Sequence, residues 1–209
     1  MVRVPWQGVG DVAGETMSLR INGLPVFLRG ANLVPPSPFL TVSSGSALTR
    51  LLGLVSDARA AGFNLLRVWG GGWYLPDSFY NAADRAGLMV WQEGMFACSP
   101  YPVFDWFSKS VEEEVREQAT RIAWRPGVVV WGGNNEVEQS LEWFPETLAN
   151  LSRYKDEYIR LFLGVMGGTM QALRPALAFV DSSPSNGIDP ATGAKRWGDP
   201  SGSRKCWSS

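Results

Sequence analysis

Asn135 and Glu136 are the residues of this chain best placed to do chemistry. They follow Val128 to Gly132, three β-branched residues, a tryptophan and a glycine, which read as a buried strand. In a (β/α) barrel the carboxyl end of a strand is where reactive groups sit. A carboxyl held there among aromatic side chains is suited to donate a proton, because poor solvation disfavours its charged form. The same residue also fits a plainer role. A glutamate after a strand can simply start a helix, where negative charge complements the helix dipole. The segment alone leaves both readings open.

Composition narrows the classes. The 209 residues suffice for one ample core, or for one domain plus part of another. Lysine and arginine number 19 against 20 acids, a net charge of −1, which gives no electrostatic footprint for nucleic acid or an anionic membrane. The clustered bases Lys195, Arg196, Arg204 and Lys205 fall in a polar tail and read as solvated. There is no histidine, which removes Ser-His-Asp and Cys-His catalysis and the usual zinc sets, so no metal or cofactor is expected. Cys98 and Cys206 are too few and too far apart for a disulfide framework. The apolar run Leu161–Met166 is too short to span a bilayer, and the first residues lack the apolar core of a secretory signal. Ten tryptophans are many for this length; they suit a core, or stacking on sugar faces.

The elements that would position Glu136 can be read along the chain. Residues 1–16 are expected to be a linker or the remnant of a β-sandwich domain. Met17–Ile21 and Val26–Leu28 flank Asn22-Gly23, a hairpin turn, and the second arm is expected to continue into Arg29–Asn32. Prolines 35, 36 and 38 then break the chain. Ser46–Ala61 is a helix on the face of Leu48, Leu51, Leu52, Val55 and Ala58. Asn64–Trp69 is a strand. Asp77 caps a helix over Ser78–Ala86 that Gly87 ends. Leu88–Glu93 is a strand, and Asp105–Ala123 is a helix on Val111, Val115, Gln118 and Ile122. Beyond Val128–Gly132 a glycine-interrupted helical region runs to about Leu173, and Ala178–Ser182 is a further strand. Strand–helix repeats imply a parallel sheet with right-handed crossovers. About five strands are counted where a closed barrel needs eight. The expected fold is therefore α/β: a partial (β/α)8 TIM barrel over 17–186, about five βα units, followed by an irregular tail over 187–209. An open doubly wound sheet is the alternative, but no GxGxxG or Walker pattern follows any strand, which speaks against a nucleotide-binding protein.

At six ordered segments the chain resembles the β-mannosidases of glycoside hydrolase family 2. These are Ile21–Asn32, Leu66–Gly72, Val90–Gln92, Met95–Cys98 with Tyr101-Pro102, Trp131–Glu136 and Ser182–Gly187. The resemblance implies a retaining glycosidase acting on terminal β-D-mannosides, its partner a mannose-containing oligosaccharide or glycoside. It implies Glu136 as general acid/base, Asn135 binding the sugar 2-hydroxyl, and Arg67 bonding the nucleophile; without the family, Arg67 reads as an ordinary strand-end salt bridge. Trp69 and Trp143 are candidate sugar platforms, with core packing an equal reading of Trp143. For the full-length family it suggests a lysosomal, vacuolar or secreted setting.

The chain also departs from the family pattern. Glu93-Gly94 replaces the usual Asp-Phe after Trp-Gln. This keeps Glu93 as a substrate-binding candidate but admits endo-β-mannosidase-like or exo-β-glucosaminidase-like relatives. Leu33 and Ser37 replace a Trp and an Asp. The family nucleophile, a glutamate on the seventh strand, has no counterpart before the resemblance fades at Asp199-Pro200. Glu112, Glu113, Glu114, Glu138 and Glu142 are expected on solvated helix faces. The chain alone is therefore expected to be a weakly active or inert sugar-binding fragment, prone to associate through an unclosed barrel.

Overall fold

A computed structural model describes residues 2–7, 13–37 and 45–198. Strands β1 (Val2–Gln7), β2 (Ala13–Ile21) and β3 (Leu24–Val26) form an antiparallel sheet in that order. Residues 2–7 and 13–16 thus lie in paired strands. Val2, Val4 and Trp6 alternate with Arg3, Pro5 and Gln7, the two-residue period of a strand, although the glycines that follow obscure it. The β2–β3 turn has positive φ at both Asn22 (51°) and Gly23 (82°), the geometry that Asn-Gly tolerates best.

The second sheet is the scaffold of the molecule. Strands β4 (Gly30–Leu33), β5 (Leu65–Val68), β6 (Met89–Glu93), β7 (Val128–Gly132) and β8 (Ala178–Val180) are all parallel and lie side by side in chain order. Order without reversal is that of a (β/α) barrel; a doubly wound sheet reverses at a switch point. The hairpin arm does not continue into Arg29–Asn32 as expected: β3 and β4 are separate strands in different sheets. Helices α1 (Gly45–Ala60), α2 (Asp77–Ala86) and α3 (Asp105–Ile122) connect the first four strands. Between β7 and β8 run α4 (Val137–Ser140), α5 (Pro145–Leu148), α6 (Leu151–Tyr158), a π-helical segment (Ile159–Gly167) and α7 (Gly168–Leu173).

Asp77 is the first residue of α2 and not its cap. Pro76, extended at φ −70°, takes the capping position, and no side chain caps the end. The Asp77 carboxylate instead pairs with Arg121 at 2.9 Å. Gly87 closes the helix in the left-handed region at φ 66°, as its type suggests.

Strand parity then decides where each side chain goes. Leu66, Val68, Val90, Val128 and Trp131 face the helices and pack with Leu51, Val55, Phe79, Val115, Ile122 and Phe162. A register shift between β6 and β7 at Val90/Trp91 breaks the parity of β7, so that Val128 and Trp131 share this face. Leu65, Trp91, Val130 and Val180 face the opposite side, the barrel interior, where Leu19 of β2 packs against them. This inner layer is apolar toward the amino ends of the strands. Two residues further along β5 and β6, the same parity presents Arg67 and Glu93. The sheet therefore places a charged layer on top of an apolar floor.

Candidate active site

The charged layer is assembled from four strand ends. Asn32 of β4 lies in register with Arg67 of β5, and Arg67 Nη1 donates to Asn32 Oδ1 at 2.8 Å. Arg67 Nε donates to Glu93 Oε1 at 2.9 Å, with Nη2 at 2.8 Å from the same oxygen. Nη2 also donates to Asn135 Oδ1 at 2.7 Å. One guanidinium thus ties the ends of β4, β6 and β7 together through its planar fork.

Glu93 has no exposed surface. Its second oxygen accepts the Gly70 N–H at 2.8 Å. Burial raises its proton affinity most; the Arg67 charge and the Gly70 N–H oppose this, and the Glu136 charge adds to it. Small residues make room for the carboxylate. A Cβ on Gly132 would lie 2.9 Å from both Glu93 Cγ and Trp91 Nε1. A Cβ on Gly70 would lie 2.7 Å from the carbonyl oxygens of Gly94 and Phe96. Glu93 therefore presents neither oxygen to solvent in this geometry. It orients Arg67.

Gln92, its neighbour in the Trp-Gln pair, faces the helices. It accepts the Tyr80 hydroxyl at 2.5 Å and donates to the Glu93 carbonyl at 2.7 Å. Arg121 of α3 and Arg125, three residues past its end, stack on the Tyr80 ring at 5.6 Å and 5.5 Å, so this motif also anchors the helical layer.

Glu136 occupies the capping position of α4, yet its side chain makes no capping hydrogen bond. Asn134 supplies that bond instead, its Oδ1 accepting the Val137 N–H at 3.0 Å. Glu136 itself sits at φ 58°, a conformation costing a non-glycine residue about 1–3 kcal/mol. The left-handed turn points its half-buried carboxylate toward Asn135 Nδ2 (3.3 Å) and the Cys98 thiol (3.4 Å). These partners are polar, in contrast to the aromatic setting expected from sequence. The helix-start reading does not account for this orientation; a side chain aimed into the charged layer does.

The tryptophans divide. Trp69 is half-buried, its ring folded over Gly71, where a Cβ would stand 2.1 Å from the indole. Trp143 is 46% exposed and meets Phe144 edge-on, so it is not a core residue.

Two expectations about charge are overturned behind the site. Glu138 and Lys195 were expected on a solvated face and in a solvated tail, and both are buried. Lys195 Nζ lies 2.6 Å from Glu138 Oε2, 3.1 Å from Asp181 Oδ2 and 3.1 Å from Ser185 Oγ. Tyr158 donates to Asp181 at 2.8 Å, and Asn186 Nδ2 donates to Glu138 at 2.6 Å. A buried ammonium needs such partners, and they come from α4 and the turn after β8. The Ile188–Lys195 bridge gives part of the expected irregular tail a fixed course, whereas Arg204, Lys205, Cys206 and the rest of 199–209 lie outside the described residues. Burial raises the proton affinity of Glu138 most; Lys195 opposes it and Asp181 adds to it.

A parallel sheet in barrel order, with Asn-Glu at the end of β7 and an arginine at the end of β5, defines a glycosidase-type (β/α)-barrel architecture. No protein-family model matches the chain. Individual proteins do. The goat (Capra hircus) β-mannosidase is 39% identical over 189 residues, 90% of this chain and 21% of that protein. The mouse (Mus musculus) β-mannosidase is 37% identical over 87% of this chain and 21% of its own length. The crystal structure of the Dictyoglomus thermophilum β-D-mannosidase superposes with a TM-score of 0.69 at 32% identity, covering 93% of this chain and 23% of that one. The chain belongs to the β-mannosidases of glycoside hydrolase family 2, and it spans about one fifth of the length of the curated relatives it matches.

Proposed function

We propose that this chain carries the proton-donor side of a retaining β-mannosidase site, with Glu136 as the general acid/base. The observation that carries the reading is the strained Glu136 turn. It directs a carboxyl into the charged layer of a barrel while Asn134 performs the capping that a structural glutamate would do. In the forward step of a retaining reaction a second carboxylate bonds to the anomeric carbon as the glycosidic bond breaks, and Glu136 gives its proton to the glycosidic oxygen, which leaves with the electron pair. In the return step the Glu136 carboxylate accepts a proton from water as the water oxygen bonds to the anomeric carbon and the bond to the second carboxylate breaks. Asn135 is the proposed contact for the sugar 2-hydroxyl, its side chain held in place by Arg67. Trp69 and Trp143 are the proposed stacking surfaces. Arg67 and Glu93 act as a positioning pair in this reading.

Retention requires a second carboxylate about 5–5.5 Å from the first. Among the described residues Glu93 is an acid in electrostatic contact with Glu136, and it is sealed by Arg67 and Gly70. We therefore expect the purified chain to bind methyl β-mannoside without turning over nitrophenyl β-mannoside. Binding is read as shifts of the Asn135 side-chain amide and Trp69 indole NMR signals. Release of nitrophenol that persists in Glu136→Gln, or shifts confined to residues outside this layer, would overturn the reading.

A further inference from the structure

Three non-glycine residues among those described have positive φ: Asn22 in its hairpin turn, Glu136 and Cys98. The last two face each other. Cys98 sits at φ 56° in the loop after β6. Its N–H donates to the Asn135 carbonyl at 2.9 Å, next to a parallel bridge between Ala97 and Asn135. Its thiol donates to Glu136 Oε2 at 3.4 Å, and Asn135 Nδ2 donates both to Cys98 Sγ (3.4 Å) and to Glu136 Oε2 (3.3 Å). Thiol, amide and carboxylate form a closed triangle, and two of its corners adopt a conformation that the surrounding structure must hold in place.

We propose that Cys98 is a positioning residue for Glu136: its thiol and the Asn135 amide hold Oε2, leaving Oε1 as the oxygen that exchanges a proton with the glycosidic oxygen. This rests on the reading of Glu136 as proton donor. The reasoning is a count of donors and acceptors. An oxygen that already accepts an S–H and an N–H has no lone pair directed at a third proton, so protonation falls on its partner. Asn135 thereby links two functions. Its Oδ1 takes the Arg67 guanidinium and its Nδ2 takes the triangle, so the ion-pair layer and the proton donor share one amide.

The charged and titratable groups that face the triangle are few. Arg67 reaches it through Asn135, and Glu93 interacts with Glu136 from β6. Glu138, on the next turn, is turned away into the Lys195 cluster. Burial raises the Cys98 thiol most, and the hydrogen bond and charge of Glu136 raise it further. The thiol is thus an internal reporter of its neighbour.

The test uses this chain and the native thiol. Iodoacetamide alkylation is followed against pH by mass spectrometry of the Cys98 peptide, so that Cys206 does not contribute. In the wild type the profile should lie above the range of an ordinary thiol. Glu136→Gln should move it downward, with alkylation several-fold faster at pH 8. Glu142→Gln, an exposed control, should leave it in place. Separately, Cys98→Ala should shift the Asn135 side-chain amide signals, and Cys98→Ser should return them, because a hydroxyl restores the donor. A Cys98 profile indifferent to Glu136→Gln, or Asn135 signals unmoved by Cys98→Ala, would overturn the pairing. The alkylation arm stays decisive even if Cys98→Ala does not fold. Neither readout depends on turnover. Alkyl β-mannoside hydrolysis that survives Glu136→Gln when this segment replaces its counterpart in the Dictyoglomus thermophilum β-D-mannosidase would instead overturn the proton-donor reading on which the proposal rests.

Discussion

Replacing Arg67 with methionine isolates the pair on which the candidate site is built. Methionine keeps much of the side-chain volume and removes the charge. Glu93 would lose both guanidinium contacts on Oε1 and keep only the Gly70 N–H on Oε2. Breaking a fully buried ion pair from one side costs roughly 3–5 kcal/mol. The Arg67 side chain retains 16% exposure against none for Glu93, so water softens the loss and the lower end applies. About 3 kcal/mol corresponds to roughly 6–12 °C in melting temperature for a chain of this size. The cost should depend on pH, and its sign follows from the direction of the Glu93 shift. Its proton is held more tightly in the folded state than in the unfolded chain. The folded state therefore binds more protons over the window that opens at the ordinary carboxylate value, and stability falls as pH rises through that window. Removing Arg67 widens the window upward. Urea unfolding of wild type and Arg67→Met at pH 5 and pH 7.5 should show the larger loss at pH 7.5, while Glu93→Gln should flatten the dependence. A loss below 1 kcal/mol, or one equal at both pH values in the Glu93-containing protein, would refute the reasoning.

Two further outcomes follow from the same packing. Lys195→Met should leave Glu138 and Asp181 as buried, unneutralised carboxylates. The loss should be of the same order, roughly 3–5 kcal/mol at neutral pH and less in acid, with faster proteolysis across 187–198 as its signature. Gly132→Ala should cost about 1–3 kcal/mol in urea unfolding, because the new methyl meets Glu93 and Trp91 at 2.9 Å.

Much of the scaffold was legible because parallel strands covered by helices carry strong local patterns. The apolar run at Val128–Gly132 and the helical face of α1 over Leu51, Val55 and Ala58 lie where periodicity places them. Arg67, Asn135 and Glu136 were visible through a motif, and the structure brings them together with Glu93 in one layer. Other members were not recognised. Asn32, next to last in β4, is in register with Arg67, and strand parity applied across neighbouring strands is the signal that points to it. Cys98 stood in a recognised block, but its partnership with Glu136 depends on two left-handed residues that no periodicity announces. Lys195 and Glu138 were misplaced for a different reason. Charge in a polar, glycine-rich stretch reads as solvated, and only the fold brings an ammonium at 195 against carboxylates at 138 and 181.

The central claim is that Glu136 delivers the proton, and leaving-group dependence tests it most directly. This segment would replace its counterpart in the Dictyoglomus thermophilum β-D-mannosidase, with and without Glu136→Gln. Hydrolysis of an alkyl β-mannoside, whose leaving group needs a proton, should fall about 10²–10⁴-fold in the variant. Cleavage of dinitrophenyl β-mannoside, whose leaving group departs unprotonated, should fall far less in the first step. Equal losses on both substrates, or no loss on the alkyl mannoside, would contradict the account.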